Sequence, residues 1–252
     1  MKISAAARII YNRQVSGEYR NMKIFAPKIA AQAVPGQFLN LQTSKTGNPI
    51  LRRPMSIHKI TQDSLEILYK VRGRGTTLLA GLKKGEKIQV MGPLGRGFDT
   101  GIYFTTAILV GGGYGISPLK GLHDLLKKQG KKIITITGAK TAKLVYKDGF
   151  TGVKVTTEDG SAGIKGLVTK ALTGVCCDGF KGPAAVFACG PDKMLKAVAG
   201  VASDFDLPCQ VSLENIMGCG IGVCLSCVCK TKRGMARVCV DGPVFNAKEI
   251  EW

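Results

Sequence analysis

Through the first hundred residues, short β-prone runs alternate with turn-forming breaks. The runs fall at 7–14, 19–26, 37–42, 55–61, 64–71 and 87–91. Pro35-Gly36, Gly47-Asn48-Pro49 and Lys84-Gly85-Glu86 separate them. Several short strands at this spacing predict an antiparallel β-barrel. After about residue 101 the rhythm becomes strand, glycine loop, helix. Apolar runs at 107–110, 133–137, 153–156 and 184–188 predict buried strands, and amphipathic stretches at 119–128, 165–172 and 194–203 predict helices. Such alternation implies a parallel sheet covered by helices. Beyond Pro208 the chain is Gly-rich and Cys-rich, too short to bury a core of its own. The expected organisation is therefore a multidomain mixture of α/β and β architecture. It comprises a barrel at 1–100, an α/β nucleotide domain at 101–208 and a small metal-dependent module at 209–252.

Composition agrees with an ordinary globular chain of 252 residues, 45% hydrophobic and 21% charged. No apolar run reaches the roughly 18 residues of a membrane helix, and the start lacks a long signal-peptide core. Nine cysteines, an odd number, exclude a complete disulfide framework within one chain, so a cytoplasmic location with metal binding is expected. The formal charge of +19 raises nucleic acid as a partner. Its distribution argues otherwise. Basic and acidic residues number 17 and 5 in 1–100, 14 and 8 in 101–208, and 5 and 4 in 209–252. Without a continuous basic block or aromatic-interleaved stripe, the excess reads as solvated surface, with no nucleic-acid and no membrane partner.

The sharpest chemical signal is Cys219-x4-Cys224-x2-Cys227, followed after eleven intervening residues by Cys239. This is the plant-type ferredoxin order, in which a tight loop supplies three thiolates and a separate strand the fourth to a 2Fe-2S cluster. A four-cysteine zinc site usually shows two C-x2-C knuckles, and here there is one. Cys229 is an extra thiol beside a complete set and reads as a bystander. Two glycine signals point to a nucleotide. Gly111-Gly112-Gly113-Tyr114-Gly115 follows an apolar strand and precedes a helix, and Cys189-Gly190-Pro191 ends another strand. In an open α/β sheet, ligands gather at such strand ends.

Taken together, these residues resemble the electron transfer subunits of dihydroorotate dehydrogenase B, within the ferredoxin-NADP reductase superfamily. The motifs carrying the resemblance are Arg53-Pro54-Met55-Ser56, Leu68-Tyr69-Lys70, Gly73-Arg74-Gly75-Thr76, Met91-Gly92-Pro93-Leu94-Gly95, the glycine turn, Glu158-Asp159-Gly160-Ser161, Cys189-Gly190-Pro191, the cysteine loop, and the stretch from Cys239 to Phe245. The resemblance implies FAD binding by Arg53, Pro54, Met55, Ser56, Leu68, Tyr69, Lys70, Gly75 and Thr76. It implies NAD binding by Gly111, Gly112, Gly113, Gly115, Cys189, Gly190 and Pro191, and a cluster on Cys219, Cys224, Cys227 and Cys239. It further implies an FMN-containing catalytic subunit that oxidises dihydroorotate in pyrimidine biosynthesis, assembled two with two, with electrons leaving to NAD+. No catalytic acid or base is expected in this chain. Met55 departs from the smaller aliphatic residue expected in the Arg-Pro-x-Ser motif. Two other readings remain: a subunit of an NAD(P)H-dependent ferredoxin oxidoreductase, and a zinc-stabilised basic nucleic-acid-binding protein.

Overall fold

The computed structural model describes residues 2–44 and 46–252. The first half carries β1 (Ile3–Ser16), β2 (Tyr19–Phe25), α1 (Pro27–Ala30), β3 (Phe38–Leu41), β4 (Arg53–Ser56), β5 (Lys59–Ile60), β6 (Ser64–Lys70), α2 (Arg74–Gly81) and β7 (Lys87–Leu94). Antiparallel pairing runs in the order β4-β3-β7-β1-β2-β6-β5. The two outer strands are consecutive in the chain. Ile57 donates its amide to Gln37 O, on the β3 side, and His58 donates to Glu66 O on β6, so the segment from Arg53 to Ile60 joins both edges and closes a barrel. Closure removes unpaired edges. The interior is filled by Ile9, Met22, Ile24, Leu39, Leu41, Ile57, Leu65, Ile67, Leu79 and Val90. Each large apolar side chain buried there contributes about 1.5–3 kcal/mol.

The second half carries β8 (Thr106–Gly112), α3 (Leu119–Lys128), β9 (Lys132–Ala139), β10 (Val153–Thr157), β11 (Ile164–Lys165), α4 (Val168–Cys177), β12 (Ala184–Cys189), α5 (Asp192–Asp204) and β13 (Cys209–Ser212). The sheet order is β11-β10-β9-β8-β12-β13, parallel throughout, so the winding reverses between β8 and β12. Alternation along its central strands divides the core. Ile108, Val110, Val186 and Ala188 face α4 and α5, whereas Ala107, Leu109, Ala185 and Phe187 face α3. Both faces are apolar because both are covered.

The remainder forms a hairpin of β14 (Val228–Thr231) and β15 (Gly234–Arg237), followed by β16 (Val244–Asn246). β16 pairs antiparallel with β13, so the Cys-rich segment leaves from one strand of the large sheet and returns as its neighbour. Its buried residues, including Cys227, Val238, Cys239 and Phe245, share the core beneath α4 and α5.

Two sequence expectations are revised. Residues 209–212, assigned to the C-terminal module, pair in parallel with β12 and belong to the α/β sheet. The helix expected at 165–172 runs from Val168 to Cys177, because Gly166 at φ +128 still turns the chain beside Leu167, the extended cap. The motif Gly73-Arg74-Gly75-Thr76 opens helix α2.

Candidate functional site: a flavin cleft beside a thiol cluster

The barrel and the sheet meet at a cleft of about 260 Å³. Its barrel wall is built by Pro54, Met55 and Ser56 from β4, by Leu68, Tyr69 and Lys70 from the end of β6, and by Thr76 in the first turn of α2. The opposite wall comes from Tyr114, Ser117, Ser212, Leu213, Glu214 and Met217. Arg53 lies directly over Gly75, where a Cβ would come within 2.5 Å of its Nε. Arg53 Nη1 donates to Leu51 O at 2.7 Å. Thr76 Oγ1 is used in the cap of α2, accepting from the amides of Arg72 and Gly73 at 2.8 and 3.1 Å. The first-turn amides of α2 thus remain beside a fixed guanidinium, a combination suited to a phosphate. Met55 packs against the barrel core, which accommodates its extra length. Tyr69 donates to Asn12 Oδ1 at 2.9 Å, and burial raises its phenol pKa. Ser117 Oγ is buried in this cleft without a hydrogen-bond partner, as expected of a wall awaiting a polar ligand.

On the sheet side, both glycine signals arrive at the reversal between β8 and β12, where Gly111 is the register partner of Cys189. A Cβ on Gly115 would stand 2.5 Å from Cys189 O and 2.7 Å from Gly190 Cα, so only glycine lets the two turns pack. Gly113 takes φ +56 at the start of the 3-10 turn from Gly113 to Ile116. Gly112 lies against Pro191 and Met194. The Cys189 thiol is buried and pushed well above its ordinary range by desolvation, with the Glu214 charge adding to the effect.

Sequence reading missed a contact that spans all three parts of the chain. Tyr114 OH donates to Glu214 Oε2 at 2.8 Å, and the Arg72 guanidinium stands 5.2 Å from the Tyr114 ring centroid. Desolvation together with the Glu214 charge pushes Tyr114 up to about 12. Glu214 lies deep among cleft atoms yet stays open to solvent through the mouth, and desolvation raises its pKa too. The one available signal was that Glu214 is the sole acid between Asp206 and Asp241.

From Met217 in the cleft wall, two residues lead to Cys219. The amides of Ile221, Val223 and Cys224 all donate to Cys219 Sγ at 3.4 Å. Partial burial opposes ionisation of Cys219, but these amides outweigh it and hold the thiol below its usual range. Cys224 is exposed, and the hydroxyl and amide of Ser226, with the amide of Cys219, bring it down to about 6. Cys227 and Cys239 are buried, and the Cys239 amide donates to Cys227 Sγ at 3.4 Å. Desolvation and the neighbouring Cys227 push Cys239 up to about 12. The thiols therefore stand as an outer pair, Cys219 with Cys224, and an inner pair, Cys227 with Cys239. Two thiolates per iron and amides aimed at sulfur fit a 2Fe-2S cluster. Among the described residues, no three His, Cys, Asp or Glu side chains converge as the ligands of a single ion would. Cys229 turns toward the same core as Cys227, as strand alternation predicts, and burial raises its thiol pKa. Asn40 of β3 donates to Cys219 O at 3.2 Å, so the barrel touches the cysteine loop directly.

A closed barrel and a doubly wound sheet sharing a cleft, with a thiol loop one step beyond, define a flavin-dependent reductase of the ferredoxin-NADP reductase type that carries an iron–sulfur module. The structure of an NADH-dependent reduced ferredoxin-NADP oxidoreductase, described for flavin-based electron bifurcation, superposes with TM-score 0.87 and 31% identity over 98% of this chain and 90% of its own. A ferredoxin NADP+ reductase from Neisseria gonorrhoeae with bound FAD and NADP shares the fold, with TM-score 0.66 and 15% identity over 80% of this chain and 91% of its own. The family described as "Iron-sulfur cluster binding domain of dihydroorotate dehydrogenase B" matches residues 214–251. Dihydroorotate dehydrogenase B (NAD(+)) electron transfer subunits from Fusobacterium nucleatum and Caldanaerobacter subterraneus are each 39% identical, over 95% and 99% of both chains. The chain belongs to this family of electron transfer subunits.

Proposed function

We propose that this chain conducts electrons between a dihydroorotate-oxidising, FMN-containing partner subunit and NAD+, in the service of pyrimidine biosynthesis. One observation carries the reading: a single short segment, Ser212 to Met217, lines the flavin cleft and runs straight into the cysteine loop at Cys219. When bound, FAD converts between the single electrons of a 2Fe-2S cluster and the hydride of a nicotinamide. The chain's own residues hold and orient. Arg53 and the first turn of α2 at Gly75 and Thr76 receive the FAD pyrophosphate. Ser56 with Leu68, Tyr69 and Lys70 frames the isoalloxazine. Gly111 to Gly115 and Cys189 to Pro191 receive the dinucleotide, and Ser117 Oγ supplies an unused hydrogen bond. Cys219, Cys224, Cys227 and Cys239 hold the cluster, with Cys229 outside the set.

The flavin-binding unit comprises 1–100. The nucleotide unit extends from 101 through β13, and the cluster module follows. An apolar rim on the cysteine loop, with Ile216 81% and Val223 75% exposed, supports docking of the partner there, in a complex of two chains of each kind. Among the described residues, no helix is long and apolar enough to cross a membrane. The exposed thiol of Cys177, outside the ligand set, suits a reducing, cytoplasmic setting.

Anaerobic purification should give a yellow-brown protein containing flavin, iron and sulfide, with NADH-driven dye reduction and no turnover of dihydroorotate by itself. Adding the catalytic subunit should create NAD+-linked orotate formation. Dye reduction without that gain would move the assignment to a ferredoxin oxidoreductase subunit, a reading favoured by the 31% identical bifurcating relative.

A further inference from the structure

Cys239 lies in the turn just beyond β15, and an ion pair closes that turn on itself. Arg237 Nε and Nη2 donate to Asp241 Oδ2 and Oδ1 at 3.0 and 3.3 Å, and the Arg237 amide donates to Oδ2 at 2.8 Å. The Asp241 amide returns to Arg237 O at 2.7 Å. Cys239 sits at the middle of this five-residue loop. Arg237 is also the register partner of Val228, next to Cys227, so the guanidinium belongs to the backbone that carries both inner thiols. Its third nitrogen, Nη1, reaches Gly222 O at 3.5 Å, inside the loop between Cys219 and Cys224. Gly222 leaves room for it: a Cβ there would lie 3.3 Å from Nη1. One side chain thus links the turn of the fourth ligand with the loop of the first two.

Resting on the cluster assignment above, we propose that Arg237 and Asp241 form a charge-balanced clasp that positions Cys239 and sets how readily the cluster accepts an electron. Reduction adds one negative charge. A fixed guanidinium favours the reduced form, and the paired carboxylate offsets it. Lys2, donating to Ile221 O at 3.3 Å, and Arg96, whose charge is felt by Asp241, are further cations nearby and stay constant in the comparison.

The test is a potentiometric titration of the holoprotein's cluster, followed by its spectroscopic signal, in wild type, Arg237→Gln, Arg237→Lys and Asp241→Asn. Arg237→Gln leaves an unopposed carboxylate and should lower the reduced-to-oxidised ratio at fixed potential about threefold to tenfold. Asp241→Asn leaves an unopposed cation and should raise it by a similar factor. A tenfold change corresponds to about 59 mV for one electron. Arg237→Lys keeps the charge but loses the fork. It should keep the ratio within about twofold of wild type while releasing iron to a chelator several-fold faster. Opposite signs in the Gln and Asn variants support the clasp, since a purely structural role would move both the same way. Iron-replete variants with unchanged or same-sign shifts overturn it. If Arg237→Gln fails to retain iron, the decision falls to the other two: a raised ratio in Asp241→Asn beside a wild-type ratio and faster iron release in Arg237→Lys supports the clasp, and an unchanged or lowered ratio in Asp241→Asn overturns it. Wild-type protein without iron would instead defeat the cluster assignment itself.

Discussion

Replacing Gly115 by alanine places one methyl group between the two backbone turns proposed above to receive the nucleotide. The new Cβ would stand 2.5 Å from Cys189 O, 2.7 Å from Cys189 C and 2.7 Å from Gly190 Cα, all main-chain atoms without a rotamer to yield. Restoring an ordinary 3.4 Å contact requires the turns after β8 and β12 to part by about 0.9 Å. Overpacking of this kind costs about 1–3 kcal/mol. Both strands are anchored in the centre of the sheet, so the displacement falls on these two turns, the proposed dinucleotide site. At 1.4 kcal/mol per tenfold, NADH affinity should drop about 5-fold to 100-fold. The assay is steady-state dye reduction with NADH varied, alongside flavin and iron content. KM should rise by that factor, with FAD and iron at wild-type levels, because the barrel wall proposed to hold FAD and the cysteine loop lie outside the altered contact. Gly200→Ala on α5 is the control: nothing lies within 4 Å of its new Cβ, and helix propensity alone should add about 0.5–1 kcal/mol of stability. A Gly115→Ala enzyme with KM unchanged within about twofold would refute placement of the nucleotide against this junction.

Three further expectations follow from the site. Cys224→Ala should lose the cluster's iron and its visible absorbance, whereas Cys229→Ala should retain both; equal iron in the two variants would undo the ligand assignment. Gly75→Ala forces Arg53 aside by bringing a Cβ to 2.5 Å from its Nε, so FAD should wash out at least tenfold more readily while the cluster persists, as dialysis followed by flavin fluorescence would measure. Desolvation outweighs the Ser117 carbonyl contact and lowers His58 to about 4, so the unfolded chain takes up this proton first as pH falls. Stability from neutral His58 is complete above about pH 6.5 and declines toward pH 4 by roughly 3 kcal/mol at most. Denaturant titrations of a His58→Gln variant should show a shallower loss across that window. Asp124, which His123 and Lys120 hold down to about 2 against its own burial, titrates below it.

How much of this could be read from the chain depended on how local each feature was. The four proposed cluster cysteines lie within 21 residues, and their spacing encodes a three-thiol loop without knowledge of the rest, although Cys239 comes from the turn after β15 and not from a strand. The barrel was legible because Gly and Pro separate its strands, and the segment at 55–61 already overlapped the piece that closes it. Helix α2 was hidden by the two glycines at its start, which propensity reads as a turn, although Leu79 buried in the barrel core holds the helix in place. β13 offered only Cys209-Gln210-Val211-Ser212, too short to show a period, and its place is set by pairing with β12. The Tyr114–Glu214 contact joins residues 100 apart and rests on the fold alone. Roles for Arg53 and Ser56 came from resemblance, since an arginine before a strand has no chemistry of its own until Gly75 is folded beneath it.

The return of β16 alongside β13 governs how electrons could travel. The cysteine loop is not a pendant on a flexible tether; it is an excursion staked at both ends into adjacent strands of the sheet whose other loops form the proposed nucleotide site. The span between thiols and flavin cleft is consequently set by β-sheet geometry. Throughput need not wait for a swinging arm to find its dock, and lengthening a surface loop elsewhere should leave the internal transfer rate untouched.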